Sequence, residues 1–312
     1  MGRRKKSSKN QKIVASIFGV IFLAIITLLG INQDTLNSFT KIEEETSNNI
    51  TAESMATSTS SEVTGNLTVD FIDVGQADSI LITNNNESML IDAGNNEDGE
   101  DVVKYLENKG IKKLNYVVGT HPHEDHIGGL DDVINSDIQI ENILMPKITT
   151  TTKTFEDVLD AIENKGLTVE APSKGYEFKI GEANCKVMTD SIIDKDNLNI
   201  SSIVIRLTFE NNSFLFMGDS EEENEKTISW PKTDVLKVGH HGSNTSSSEK
   251  FLNEVSPKYA VIMAGEGNSY GLPKDEIVKR IESLGTTIYR TDKNGTIEMI
   301  SDGNEIKITT EK

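Results

Sequence analysis

The placement of the histidines constrains this chain more than any other feature. There are five, and all of them fall in two short polar stretches, residues 121–126 and 240–241. The first stretch reads His121-Pro122-His123-Glu124-Asp125-His126. Three imidazoles beside a carboxylate suit a borderline-soft dication such as zinc, and also manganese or iron. A fold for this chain must hold that stretch in a metal-binding geometry.

The spacing within the first stretch fits ligation. Residues two apart in an extended segment point the same way, so His121 and His123 can share one ion. Asp125 and His126 follow after a bend and can face a second ion. The glycines at 128 and 129 allow a helix to begin close behind the site.

The other polar candidates are less specific when each is taken alone. His240 and His241 are also compatible with an ordinary polar loop. Asp219 is also compatible with a helix N-cap before the acidic residues that follow it. Together with the first stretch they favour one shared site.

The body of the chain, from residue 67 onward, predicts an α/β fold in which two sheets are covered by outer helices. The predicted strands are 67–74, 79–83, 88–92, 114–119, 140–145, 185–189, 202–209, 214–218, 235–238, 259–264 and 296–300, and the predicted helices are 99–109, 129–135, 155–165, 221–229, 247–255 and 274–284. Asp92, His121, Asp219 and His240 come at or just after strand ends. That is where α/β proteins place their chemistry.

The N-terminal region predicts a membrane anchor. Residues 13–31 form an uncharged apolar run of 19 residues, which spans roughly 28 Å as a helix. The basic residues of segment 1–12 precede it, so the N-terminus is expected in the cytoplasm and the remainder outside the cell membrane, in a single-pass arrangement. A cleaved signal peptide is the alternative.

Residues 32–66 are rich in Ser, Thr, Asn and Glu and predict a flexible stalk, which leaves open whether proteolysis releases the domain at 67–312. The net charge is −19. An acidic body counts against tight, sequence-blind DNA binding, which needs stripes of Lys and Arg. The single cysteine, Cys185, excludes a disulfide framework and a CxxC metal site.

The stretch 120–129 (THPHEDHIGG) resembles the HxHxDH signature of the metallo-β-lactamase superfamily. Further stretches are similar to the hydrolase domain of ComEC-type competence proteins, namely 71–79 (FIDVGQADS), 90–94 (LIDAG), 214–219 (FLFMGD), 236–243 (LKVGHHGS), 268–271 (NSYG) and 289–292 (YRTD). The resemblance implies a four-layer αββα sandwich with two divalent ions, zinc or manganese, at the edge of the sheets.

The resemblance also implies the role of each residue. His121 and His123 would hold the first ion, whereas Asp125, His126 and His240 would hold the second. Asp219 would bridge both ions, and Asp92, with Asp78 and Asn199, would orient the ligands. His241 would contact a substrate phosphate or replace His240 as the ligand, and His240 is preferred because it follows the strand directly. Asp125, Asp219 and His241 are the expected catalytic residues.

Two departures from the superfamily pattern affect these expectations. The histidine that usually completes the first metal site is missing, since no histidine lies between His126 and Asp219. Asn199 or Ser201 falls near that position, and the first ion is therefore expected to be the weaker one, so that a single tightly bound ion stays open. In addition, Leu272 stands before Pro273, where ComEC-type domains often have a histidine.

The expected chemistry is hydrolysis by a metal-bound hydroxide, because two ions lower the pKa of a shared water from ~15.7 to about 7. The favoured substrate is a phosphodiester, either DNA or a cell-surface polymer, and the cell membrane is the one expected partner besides the substrate. No protein partner can be inferred. The alternatives are a metal-binding surface domain with little turnover and, less favoured, a β-lactamase. A single predicted anchor is not expected to conduct DNA, so DNA translocation by this chain alone is not expected.

Overall fold

The computed structural model describes residues 65–190 and 192–312 of the chain. No helix in these two ranges is long and apolar enough to cross a bilayer. The predicted basic tip and membrane anchor, and nearly all of the predicted stalk, lie outside the described residues.

The first sheet has eight strands in the order β15-β14-β1-β2-β3-β4-β5-β6. Its strands are β1 (Leu67–Phe71), β2 (Ser79–Asn84), β3 (Glu87–Ala93), β4 (Lys113–Val118), β5 (Gln139–Leu144), β6 (Val169–Glu170), β14 (Ile297–Ser301) and β15 (Ile306–Thr310). The central pairs β3–β4 and β4–β5 are parallel. The side chains that follow β3 and β4 therefore emerge at the same edge.

The second sheet has seven strands in the order β13-β12-β11-β10-β9-β8-β7. Its strands are β7 (Glu177–Ile180), β8 (Ala183–Val187), β9 (Ile205–Phe209), β10 (Asn212–Phe216), β11 (Val235–Lys237), β12 (Tyr259–Ile262) and β13 (Thr287–Arg290). The strands β10, β11, β12 and β13 pair in parallel. This again aligns the segments that follow them.

The helices cover the outer faces of both sheets. They are α1 (Gly99–Asn108), α2 (Glu124–Ile127), α3 (Leu130–Asn135), α4 (Lys153–Asn164), α5 (Glu222–Glu225), α6 (Glu249–Val255), α7 (Asp275–Glu282) and α8 (Thr291–Asn294). One apolar cluster lies between the sheets and contains Phe71, Phe214 and Phe216. A second cluster packs the first sheet against its helices, and a third packs the second sheet against its helices. These layers confirm the predicted αββα sandwich.

The sequence-based boundaries differ from the structure in identifiable places. The helix predicted at 221–229 is confined to α5, which ends at Glu225. Pro231 follows the predicted range and restricts the backbone of the residue before it. The strands β6, β7, β13 and β15 were not predicted. β6 has two exposed residues, and β15 alternates only between exposed and partly buried ones, so neither carries a clear apolar pattern.

The two sheets meet where the functional candidates lie. The amide of Ile203, just before β9, donates to the carbonyl of Thr120, just after β4, at 3.0 Å. Gly129 sits so close to β3 that a Cβ atom there would lie 2.4 Å from the carbonyl oxygen of Ala93. The glycines therefore bring α3 against the strand end, as the sequence predicted.

Candidate metal centre

A buried carboxylate organises the loop that follows β4. Asp92 is fully buried near the end of β3, in the left-handed region at φ 58°. Its Oδ1 accepts the Thr120 amide at 2.8 Å, and its Oδ2 accepts the Thr120 hydroxyl at 2.7 Å. Oδ2 also lies 2.8 Å from Nδ1 of His126. These contacts hold the His126 ring so that Nε2 faces Asp219 at 3.1 Å.

The first histidine stretch brings the side chains of His121 and His123 together and places Asp125 and His126 on a short helix. His121 is fully buried, and its Nε2 lies 3.0 Å from Nδ1 of His123. Asp125 and His126 lie one turn later on the short helix α2, which starts directly after His123. The carbonyl of Asp125 accepts the amide of Asp78 at 3.0 Å. The run is therefore fixed at both its strand end and its helix.

Asp219 lies at the centre of four imidazoles. Its Oδ1 is 3.1 Å from Nε2 of His126 and 3.5 Å from Nε2 of His241. Its Oδ2 is 3.9 Å from Nε2 of His121 and 3.7 Å from Nε2 of His240. Each oxygen of this buried carboxylate therefore faces its own pair of histidines, which is the arrangement expected of a bridging ligand.

We name two sets of side chains after the two oxygens of Asp219. Asp125 is included through its contact with His241, and His123 through its contact with His121. The Oδ1 group is Asp125, His126 and His241. The Oδ2 group is His121, His123 and His240. In the Oδ1 group together with Asp219, one donor atom from each residue lies within 4.8 Å of all the others.

The structure brings His241 rather than His240 into the Oδ1 group. Both residues adopt left-handed backbone angles, at φ 48° for His240 and 51° for His241, so their rings diverge. His241 is buried, and its Nε2 lies 3.4 Å from Asp125. His240 belongs to the Oδ2 group and faces the cleft. His240 was preferred on this side because it follows the predicted strand directly, but β11 ends at Lys237 and the chain turns at Gly239–Gly242.

The buried donor atoms fit a divalent cation. Among the described residues, Oδ1 of Asp219 and Nε2 of both His126 and His241 are buried without a well-directed hydrogen bond, although Nε2 of His126 lies 3.1 Å from that oxygen. Leaving such a group unsatisfied costs about 1–3 kcal/mol. These donor atoms lie within 4.8 Å of one another, so one cation would satisfy all three, and imidazole with carboxylate is a donor set that zinc and manganese accept.

The histidine pKa values shift in opposite directions in the two groups: they are raised in the Oδ1 group and lowered for His121 and His123 in the Oδ2 group. Burial would raise the pKa of Asp219, but the charges of His126 and His241 outweigh it and hold the pKa well below its usual range. Burial would lower the pKa of His126, but Asp219, Asp92 and Asp125 hold it well above its usual range. Burial, together with the charge of His126, lowers the pKa of His121. The Oδ1 group therefore holds protons that a metal ion would displace.

A second acidic cluster lies behind the Oδ1 group. Asp78 is buried, and its carboxylate lies 3.5 Å from Nδ1 of His241 and 3.8 Å from Nδ1 of His126. The buried ammonium of Lys237 contacts Asp78 and also donates to the carbonyl of Gly218 at 3.1 Å. Asp78 is paired with a cation of the chain itself. Asp78, Asp92 and His126 also bring donor atoms within 4.8 Å of one another, and Lys237 supplies a positive charge beside them.

Several residues that shape the centre were not predicted. The sequence assigned no site role to Lys237, Thr120 or Glu221. The LKVGHHGS stretch could have singled out Lys237, since a lysine in an apolar strand needs a buried partner. Asn199, which was predicted, is buried with its Nδ2 3.3 Å from the His240 ring.

The centre opens into a cleft of about 310 Å³. Its wall contains His123, Asp125, Asp219, His240 and His241. Tyr270 and Leu272 form part of the rim, and the Tyr270 side chain is largely exposed. Leu272 is thus apolar where a polar group is common in ComEC-type domains, as the sequence indicated.

The sequence matches one family model and several curated proteins, and the fold matches solved structures. The model of the Metallo-beta-lactamase superfamily matches residues 72–266, which is more than half of the chain. The chain belongs to the metallo-beta-lactamase superfamily. Its domain is of the ComEC type, since the relatives include ComE operon protein 3 of Bacillus subtilis, 32% identical over 252 residues, and Competence protein ComA of Neisseria gonorrhoeae, 28% identical over 244 residues.

These alignments cover 74% and 72% of the chain but only 32% and 31% of the two relatives. The chain thus spans about a third of the length of the curated relatives it matches. Among solved structures, the metallo-beta-lactamase fold protein YhfI from Bacillus subtilis matches with a TM-score of 0.51 and 13% identity, covering 74% of this chain and 98% of YhfI. That likeness shows the fold alone.

Proposed function

We propose that this chain is a metal-dependent hydrolase of phosphodiesters. The observation that carries the proposal is Asp219, whose two carboxylate oxygens each face a pair of imidazole Nε2 atoms. A carboxylate flanked in this way is suited to bridge two divalent ions. Relatives named for competence and recombination favour DNA among the phosphodiesters.

Bound divalent ions would supply Lewis acidity and an activated water at neutral pH. The residues of the chain fix where that chemistry takes place. Asp219 sets the spacing between the two groups, and Asp125 and His241 line the cleft on one side of it. Cys185 lies in the core between the sheets, where burial raises the pKa of its thiol, so it does not act as a nucleophile.

The rim of the cleft bears on the substrate. A neighbouring groove is lined by acidic side chains, among them Asp73, Glu97, Asp98, Asp101 and Glu124. This groove repels a polyanion, so we propose that affinity for a nucleic acid comes from the metal centre and not from the rim. The KM for a DNA oligonucleotide should then fall as added salt screens the repulsion, opposite to the behaviour of a basic nuclease.

We also propose that residues 13–31 anchor the domain to the outer face of the cell membrane. The apolar run and the basic segment before it support this orientation. Protease added to intact cells should then remove the domain and leave a short N-terminal fragment. Protection of the domain until the cells are lysed would contradict this topology.

The experiment for the activity uses the full chain purified in detergent. It is loaded with Mn²⁺ or Zn²⁺ and given bis-p-nitrophenyl phosphate, single-stranded DNA and a cephalosporin. We expect hydrolysis of the diesters that is lost in Asp219→Ala and retained in Glu223→Gln, an exposed matched control.

Two outcomes would overturn the proposal. Turnover of the cephalosporin alone would make the protein a β-lactamase. The absence of turnover with metal bound would indicate a metal-binding interaction domain.

A further inference from the structure

The histidine that usually completes the first metal site is missing between His126 and Asp219, yet the imidazole of His240 lies 3.7 Å from the oxygen of Asp219 that His121 also faces. We infer that His240, oriented by Glu221, is the protein ligand that closes the metal site of the Oδ2 group. The two neighbouring histidines of the GHHG turn then serve different ions. This inference rests on the proposed function only in that it requires two bound metal ions.

The first argument is the orientation of the His240 ring. Its Nδ1 lies 3.1 Å from a carboxylate oxygen of Glu221 and 3.0 Å from the Thr245 hydroxyl. The Thr245 hydroxyl donates to Glu221 at 2.9 Å, so both contacts are satisfied if Nδ1 carries the proton. Nε2 then keeps its lone pair and lies 3.3 Å from Nδ2 of Asn199 and 3.7 Å from Oδ2 of Asp219. A histidine ligand typically donates its other ring N–H to a carboxylate or a carbonyl in this way.

The same pattern holds in the Oδ1 group. Nδ1 of His126 lies 2.8 Å from the carboxylate of Asp92, and Nδ1 of His241 lies 2.9 Å from the carbonyl of Met263. In each case Nε2 is left to face Asp219. His240 with Glu221 therefore repeats, on the other oxygen of Asp219, the device that orients the two buried histidines.

The second argument is distance. Two ligand atoms on one tetrahedral zinc ion lie roughly 3.3–3.5 Å apart, given bonds of about 2.0–2.1 Å. Nε2 of His240 is 3.7 Å from Oδ2 of Asp219, and Nε2 of His121 is 3.9 Å from the same oxygen. Both separations reach that range with a shift of a few tenths of an ångström.

The third argument is that Glu221 is itself held in place. Besides Thr245, it accepts Nδ2 of Asn197 at 2.9 Å and Nδ2 of Asn199 at 3.2 Å. It is 6% exposed although it begins an acidic run, whereas Glu222 and Glu223 are exposed. A buried carboxylate with these donors is a built support and not part of a solvated surface.

Asn199 supplies an independent observation. Its Nδ2 lies within hydrogen-bond distance of both Glu221 and Nε2 of His240, and its Oδ1 is buried with no hydrogen-bond partner among the described residues. The orphaned oxygen belongs to the residue that lies nearest in sequence to the missing histidine. A metal ion in the Oδ2 group would satisfy it directly or through a water.

The test measures metal content, not activity. The full chain in detergent is stripped with chelator, dialysed against Zn²⁺ or Mn²⁺ and assayed by mass spectrometry for metal per chain. We expect two ions in the wild type and one in His240→Ala. Glu221→Gln keeps the shape but removes the charge, and should weaken one ion by roughly 10–100-fold, the scale for groups that orient ligands.

Matched controls keep the inference falsifiable. Glu223→Gln removes a charge two residues away and should leave both ions bound. Glu210→Ala removes a side chain from another left-handed position, at φ 49° in the turn between β9 and β10. It should also leave both ions bound. Melting curves of the metal-free variants establish that each one folds. With Co²⁺ as the probe, His240→Ala should lose part of the visible absorption that the wild type shows.

Failure of this inference differs from failure of the proposed function. Two ions with unchanged affinity in His240→Ala, or a single ion in the wild type, would overturn the inference even if diesters are hydrolysed. Two ions, one of them lost in His240→Ala, with no hydrolysis of diesters would uphold the inference and refute the function.

Discussion

The Oδ1 and Oδ2 groups share Asp219 but differ in how their donor atoms are satisfied. In the Oδ1 group, Nε2 of His126 and Nε2 of His241 are buried and unpaired among the described residues. In the Oδ2 group, His121 and His123 contact each other at 3.0 Å, and the His240 side chain is 24% exposed. The first group is rigid and incomplete without a ligand, whereas the second can satisfy part of its own needs.

This difference teaches that affinity and reactivity can be divided between two halves of one centre. Pre-organised, desolvated donors gain most when an ion arrives, because nothing has to be displaced except protons. Donors that already contact one another must separate first. We therefore expect the ion of the Oδ1 group to be the tighter one and that of the Oδ2 group to exchange faster.

Removing the shared carboxylate should have the largest effect, because it damages both halves at once. Asp219→Ala should reduce diester hydrolysis by about 10³-fold or more, taking the loss of one charge-stabilising group as the scale. Metal content and steady-state kinetics measure it. Retention of both ions and of most of the activity would mean that Asp219 does not link the halves.

The pH dependence of metal binding should separate the halves next. The pKa values of His126 and His241 are raised by nearby carboxylates, whereas those of His121 and His123 are lowered by burial. Below the raised pKa values, binding at the Oδ1 group should therefore release protons, and its affinity should rise with pH by up to about tenfold per pH unit for each proton released. The affinity of the Oδ2 group should change little.

Calorimetry in buffers of different ionisation enthalpy counts the protons released by each ion. His240→Ala is the useful reference, since it should retain the proton-linked ion and lose the other. Equal proton release from both ions would remove the electrostatic difference between the groups.

A smaller effect is expected from Asp92, which touches only one half. Asp92→Asn keeps the size of the side chain but weakens its contacts with Thr120 and His126. The ion of the Oδ1 group should bind roughly 10–100-fold more weakly. Asp101→Asn, an exposed change on α1, is the control, and competition with a chelator gives the affinity. Equal weakening of both ions would point to a general loss of structure.

The smallest effect should come from Asn199, at the edge of the Oδ2 group. Asn199→Ala removes one of three donors to the Glu221 carboxylate, and Asn197 and Thr245 still hold it, so the ion should lose only about 0.5–1.5 kcal/mol, a weakening of about 2–13-fold. The change should fall on the weaker ion only, and titration with Co²⁺ can follow it. A loss of the tighter ion would show that the two halves are more strongly coupled than their geometry implies.

Much of this architecture could be predicted from the sequence, because apolar runs and histidine spacing are local signals. The first stretch and the αββα sandwich follow from patterns a few residues long or from the resemblance. The choice between His240 and His241 could not be made, since it depends on two successive left-handed residues. Glu221 was missed because burial of one carboxylate within an acidic run is set by Asn197, Asn199 and Thr245, which are brought to it by the fold.

The position of Asp219 between the two sheets has a consequence for how the chain acquires its final form. His121 and His241 are 120 residues apart, and they reach the same carboxylate from segments that follow strands of different sheets. An ion held there would be a removable cross-link that closes a long loop, whose entropy is costly to lose before the partners meet. The centre can therefore form only after residue 241 has been synthesised and both sheets have docked. Metal binding would be the last step of folding, and removal of the metal by a chelator would weaken the contact between the two sheets.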